Sequence, residues 1–217
     1  MNLVQTMRAT LLEGGVKMNE NRFVVAGWAS IAAAGLLPTA FIVAGLEAAA
    51  FDLGVTKRTV GLGASDFLLL VFGAVAVYVL IELKRMLFER YSYRGLDVII
   101  AVAIAWSVVN YGGSFVLQSF FSIAAPAASV SAEVVTTVFW IVCIGVFGII
   151  DAILGIMLLI QGRRFGLPLM VFAAFSLAMG LCEVTVVMSF FGLLLFPIAY
   201  IALGVAFLRP EERLEFV

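Results

Sequence analysis

Asp151 is an acidic residue inside an otherwise apolar run, residues 134–160, and it is the strongest candidate for chemistry in the chain. It precedes Arg163 by twelve residues, about 18 Å of helix at ~1.5 Å per residue. That spacing puts it near the middle of a helix crossing a bilayer, where a carboxylate is expensive to keep. Its functional reading is a proton, cation or substrate contact. Its structural reading is a carboxyl hydrogen-bonded to a neighbouring helix. Gly148, Ala152 and Gly155 share its face at three- and four-residue spacing, so that face is expected to pack closely on another helix.

No Lys or Arg stands in the interior of a proposed span, so polar side chains must answer the acid. The third span supplies them. Ser107, Asn110 or Tyr111, Ser114 and Gln118 recur at helical spacing as a polar stripe, and Gly112 and Gly113 admit a neighbour to it. The stripe reads either as interhelical hydrogen bonding, about 0.6 kcal/mol per contact, or as the lining of a solute cavity. Asp151, Asn110, Tyr111, Ser114 and Gln118 form the candidate intramembrane site.

Glu183 is the second informative acid. It ends a face made by Ala173, Ser176 and Gly180 in the fifth span. With Glu47 it forms a candidate outer acidic site, on a side that also holds Asp52, Asp66 and Glu133 against only Lys57 and Arg58. Such a surface attracts cations or a basic partner. The plainer reading pairs Lys57 or Arg58 with Glu47 or Asp52. It also sets Asp66 and Glu133 at helix N-termini, where acids complement the dipole.

The chain contains no histidine. His-ligated haem, His-containing zinc sites and His-based nucleophilic catalysis are thereby excluded. No glycine-rich phosphate loop, nucleophile elbow or Cys-x-x-Cys pair appears. The expectation is no catalytic residue, no metal and no cofactor, with enzymatic activity disfavoured. A net charge of −1 argues against a nucleic-acid partner. Cys143 and Cys182 sit in apolar runs, where Cys acts as a small buried hydrophobe.

The elements that must hold these residues follow from composition. Hydrophobic residues make up 64% of the 217, charged residues 12%, and the mean hydropathy is +1.18. A soluble domain is nearer 45–50% apolar and about 25% charged. Lipid is therefore the expected solvent, and the expected fold class is all-α, a polytopic integral membrane bundle of about six helices. The spans fall at 23–46, 67–83, 98–121, 134–160, 167–184 and 190–208, each near the ~20 residues needed to cross a bilayer core. The last two form one apolar run too long for a single crossing, so a reversal is placed at 183–192, helped by Thr185, Ser189 and Gly192. An Ala/Ser-rich stretch with Pro126, residues 124–132, reads as an outer loop.

Basic residues in successive water-facing segments alternate, eleven on one side against two on the other. The basic side is expected in the cytoplasm, giving both termini inside and a cell inner-membrane location. Residues 1–22 then form a cytoplasmic segment, 23–208 the membrane domain and 209–217 a cytoplasmic tail. The first span reads as an uncleaved anchor despite Ala48-Ala49-Ala50, because its apolar stretch is too long for a signal peptide. Two readings stand for residues 1–17. One is an interfacial amphipathic helix carrying Leu3, Val4, Met7, Leu11 and Leu12. The other is translation from Met18, behind a purine-rich stretch encoding Glu13-Gly14-Gly15.

Ala26, Ser30 and Ala34 make a small-residue ridge on the first span, for packing within the chain or against a partner. Helix packing is also expected of Gly148, Ala152, Gly155, Ser176 and Gly180. Pro38 and Pro197 are expected to kink their spans. Lys84, Arg85, Arg90 and Arg94, with Phe88, Tyr91 and Tyr93 among them, read as a lipid-headgroup anchor, or else as a dock for a cytoplasmic protein.

Six short spans and the ridge on the first resemble the substrate-binding membrane subunits of vitamin-uptake transporters, a likeness of size and topology that carries no residue across. The first functional expectation is a non-enzymatic accessory or scaffold subunit acting through helix packing. The alternative is a small-solute or cation/proton-coupled transporter or channel built on Asp151 and the third-span stripe, at the depth where transporter sites lie. Expected partners are membrane lipids and a membrane protein or second copy of the chain.

Overall fold

The computed structural model describes the backbone of residues 3–52, 62–124, 129–185 and 188–209. Side chains are described within residues 21–50, 62–123, 134–162, 164–185 and 188–209. Among the described residues the chain is all-helical, and six helices are long and apolar enough to cross a membrane. Their mean hydropathies run from 1.7 to 2.6.

Helix α1 runs Leu3–Asp52 with Pro38 inside it, and its candidate span is Asn21–Ala50. The side-chain reading of an amphipathic helix near the N-terminus lies outside the described residues. Helix α2 covers Ala64–Tyr91. Its first backbone donors are met from two sides. Gly63 N–H donates to Asp66 Oδ2 at 2.8 Å, and Ala64 N–H donates to Glu47 Oε1 of α1 at 2.7 Å. Helix N-termini leave such donors orphaned, so the end of α1 caps α2.

The third span is not one regular helix. It consists of α3 (Asp97–Ser107), a π-helical turn (Val108–Gly112) and α4 (Gly113–Ala124). Helix α5 is Ser129–Ile160, α6 is Leu167–Val184 and α7 is Ser189–Leu208 with Pro197 inside. Of the outer loop expected at 124–132, Ala124 belongs to α4 and residues 129–132 to α5, and 125–128 lie outside the described residues. The reversal lies between Val184 and Ser189, inside the expected window.

Neighbouring helices run antiparallel in tight register. Phe23 stacks on Phe207, and Ser30 Oγ donates to the Tyr200 carbonyl at 2.7 Å, which aligns α1 with α7. Ala26, Ser30 and Ala34 are all buried. A Cβ on Gly204 of α7 would come 2.9 Å from the Gly27 carbonyl oxygen. The α5–α6 pair is as close: a Cβ on Gly155 would lie 2.6 Å from the Ala173 carbonyl oxygen. Small residues let backbones approach this far, where dispersion is strongest.

This alternation gathers every described basic side chain at one end of the bundle: Arg22, Lys84, Arg85, Arg90 and Arg94, with Arg164 and Arg209. Several are engaged by the protein itself. Arg90 donates to the Ala206 and Phe207 carbonyls at 3.1 and 3.2 Å and lies 4.5 Å from the Phe23 ring centroid. Arg85 pairs at 2.7 Å with Glu82, a carboxylate 3% exposed that carries no signal in the sequence. Lys84 stands 4.0 Å from Asp97, and Arg94 covers the Phe88 ring. Of the expected headgroup anchor, Arg90 is therefore a helix cap for α7, because its guanidinium meets the last carbonyls of that helix.

Candidate functional site

The site is assembled by the close α5–α6 contact. A Cβ on Gly148 would lie 2.7 Å from Val184 N and 2.8 Å from the Gly180 oxygen. A Cβ on Gly180 would lie 2.5 Å from both Ala152 N and the Gly148 oxygen. Only glycine at both positions permits this approach without displacing backbone. It sets Glu183 of α6 against α5 beside Gly148, on the face from which Asp151 projects one turn further in. Gly192 of α7 leaves the third side open to the Glu183 carboxyl, whose Oε1 would be 3.7 Å from a Cβ there.

Asp151 and Glu183 line one cavity of about 290 Å³, to which all six spans contribute. Tyr200 of α7 lines the same cavity as the two carboxyl groups. Among the described residues Asp151 forms no hydrogen bond or ion pair, and Glu183 Oε2 is buried without a hydrogen-bond partner. The lining contains no Lys or Arg.

The π-turn decides what the third span presents. A π-turn inserts one residue into the helical repeat and shifts the face that follows. Asn110 and Tyr111, adjacent in sequence, both line the cavity together with Ser107. Ser114 and Gln118 do not line it. Asn110 is 2% exposed and its Oδ1 has no hydrogen-bond partner. The Ser114 hydroxyl is also buried and unpartnered. Tyr111 lies over Gly73 of α2, where a Cβ would fall 2.5 Å from the Tyr111 Cβ.

The remaining wall is aromatic. Phe196 and Tyr200 stack with centroids 4.1 Å apart, and Phe72 meets Phe196 and Tyr111 edge-on at 5.4 and 5.2 Å. Tyr111 continues the series to Phe147 at 6.1 Å. At the basic end the cavity is closed by Leu80, Ala103, Leu154, Phe172 and Leu203, none more than 8% exposed. At the other end Phe41 and Phe190 border it and are exposed.

Of the expected intramembrane set, the cavity unites Asp151, Asn110 and Tyr111 and leaves out Ser114 and Gln118. Glu183 and Glu47, expected together on an outer acidic surface, have separate surroundings. Glu47 accepts from Ala64 N–H and the Ser65 hydroxyl at the start of α2, while Glu183 faces the cavity. Ser176, expected in helix packing, is buried and also lines the cavity. Tyr200 escapes the sequence reading, although it is a lone polar side chain in the apolar run of α7. No group of three or more His, Cys, Asp or Glu side chains suited to a metal occurs among the described residues. No protein-family model, curated protein or solved structure matches the chain.

Proposed function

We propose that the chain is a multi-pass membrane protein whose six spans enclose a binding site for a small solute, and that it carries a cationic solute across the bilayer. The observation behind this reading is the pairing of Asp151 and Glu183 in one cavity free of basic side chains. Carboxylates are costly to hold among apolar helices, and structural acids are normally hydrogen-bonded or ion-paired. These two line a cavity, and Glu183 Oε2 is buried there without a hydrogen-bond partner. Cavities at mid-depth, at helices broken by irregular turns, are where transporter sites form.

The accessory-subunit reading loses one of its supports. Ala26, Ser30 and Ala34 are buried within the chain, and Ser30 bonds to α7, which makes the ridge a weaker argument for a partner. The basic end is assigned to the cytoplasm on the Lys/Arg asymmetry, with both termini inside.

Two experiments test this. In proteoliposomes, an inward cation gradient should drive solute or proton flux that Asp151→Asn abolishes while the variant still purifies as a monodisperse species. Flux unaltered by both Asp151→Asn and Glu183→Gln would sink the carrier reading. For orientation, single cysteines at Thr185 and Arg209, with Cys143 and Cys182 replaced by Ser, should react oppositely with an impermeant maleimide. Thr185→Cys should label in intact cells and Arg209→Cys only after lysis.

A further inference from the structure

We infer that the occupant of the cavity is an amphipathic organic cation: one charged nitrogen bearing N–H groups, set against Asp151 and Glu183, with an apolar body among the rings. This specifies the solute class and rests on the reading of the cavity as a small-solute site.

The chemistry of the walls selects the class by exclusion. An anion meets two carboxylates and no cation in the lining. A neutral apolar molecule leaves Glu183 Oε2 and Asn110 Oδ1 without donors, although both are buried. Buried acceptors cost free energy until a donor reaches them. An inorganic cation gives up its water only for a dense shell of oxygens, about six to eight for Ca²⁺. The walls offer two carboxylates and the scattered oxygens of Ser107, Asn110, Ser176 and Ser189 beside aromatic rings, and no group of three or more His, Cys, Asp or Glu side chains suited to a metal occurs among the described residues.

An organic ammonium satisfies each wall at once. Its N–H groups serve the two orphaned acceptors, and its charge offsets a carboxylate. Its body contacts the faces of Phe196 and Tyr200, stacked at 4.1 Å, with Phe72 edge-on beside them. Ring faces carry negative potential, so the same rings favour a cation over a neutral molecule of equal shape. A cavity of about 290 Å³ is near the lower end of the range that takes small organic ligands.

The test uses the full chain in lipid nanodiscs and three probes of one shape: 2-phenylethylammonium, 2-phenylethanol and phenylacetate, followed by calorimetry. The ammonium should bind at least about tenfold more tightly than either other probe. Its affinity should fall as pH drops from 8 to 5, because protons compete for the same carboxyl groups while the amine stays charged. The other titratable groups of the lining are Tyr111 from the π-turn and Tyr200 from α7; α1 and α2 present none. This measurement needs no variant, so a misfolded mutant cannot mask the answer. Asp151→Asn and Glu183→Gln should each weaken the ammonium about tenfold or more, and Phe196→Leu should weaken it more than the alcohol.

Equal affinity for the alcohol and the ammonium, preference for phenylacetate, or no binding of any probe would each overturn the assignment. So would displacement of the ammonium by millimolar Na⁺ or Mg²⁺. Binding of the ammonium without its transport would overturn the carrier reading and leave the ligand class standing. Transport of another solute that the ammonium does not inhibit would do the reverse.

Discussion

The Ser30 hydroxyl in α1 donates to the backbone carbonyl of Tyr200 in α7, 2.7 Å away. The ring of that same Tyr200 lines the cavity beside Asp151 and Glu183. The seam that packs the first helix on the last therefore also holds one wall of the site. Removing the bond alone should do little: Ser30→Ala is expected to cost about 0.6 kcal/mol, the usual worth of an interhelical hydrogen bond in a membrane protein. Ser30→Leu forces bulk into a position that is 0% exposed. It should cost about 1–3 kcal/mol and weaken ligand binding as well. Thermal unfolding in detergent, with calorimetry on the same samples, separates the two. A Leu variant as stable as the Ala variant would mean the seam is loose.

The α5–α6 contact makes a sharper prediction, because glycine positions along the bundle differ so much in their surroundings. A Cβ on Gly180 would meet backbone atoms at 2.5 Å, whereas a Cβ on Gly145 meets nothing within 4 Å. Gly180→Ala should lower stability by about 1–3 kcal/mol, since backbone cannot yield as a flexible side chain does. Gly145→Ala should be neutral or stabilising by up to about 1 kcal/mol, because alanine loses less entropy in a helix. Equal melting temperatures for the two variants would show that the helices do not approach as described.

Arg90 joins three elements, donating to the last turn of α7 while covering Phe23 of α1. Arg90→Ala should cost about 1.5–3 kcal/mol, the range for hydrogen bonds to a charged group. Arg90→Lys should recover only part of this, since an ammonium lacks the planar fork that reaches two carbonyls. A lysine variant indistinguishable from wild type in thermal unfolding would reduce Arg90 to a charge at the helix end.

Ser92 follows α2 with φ of 49°, and its N–H meets the Leu87 and Phe88 carbonyls. Left-handed backbone costs a residue with a Cβ about 1–2 kcal/mol, which glycine avoids. Ser92→Gly should therefore stabilise the protein by about 1 kcal/mol without altering ligand affinity. A fall in melting temperature would contradict the cap geometry.

Hydropathy is a local, one-dimensional property, and for that reason the spans are legible in the order of residues alone. The fifth candidate span, Leu167–Val184, has the bounds read from the apolar run, and the fourth ends at Ile160 as read. The reversal before Ser189 is also readable, because about forty apolar residues cannot cross once. Asp151 announces itself for the same reason: a carboxylate in an apolar run stands out wherever the run folds.

What Asp151 faces is a different kind of question. Glu183 reads from sequence as an outer acid beside Glu47, and its place at the cavity depends on two glycines, Gly148 and Gly180, meeting across helices. A contact of that kind depends on the rotation and depth of both helices, which no single segment contains. The third-span stripe fails part-way along for a related reason. Spacing arguments assume one unbroken repeat, and the turn at Val108–Gly112 breaks it, so Asn110 and Tyr111 line the cavity while Ser114 and Gln118 do not. The sequence by itself determined six apolar helices, their charge asymmetry and one costly acid. Tertiary structure alone decided that this acid shares its cavity with a second, because only packing sets which helix faces meet.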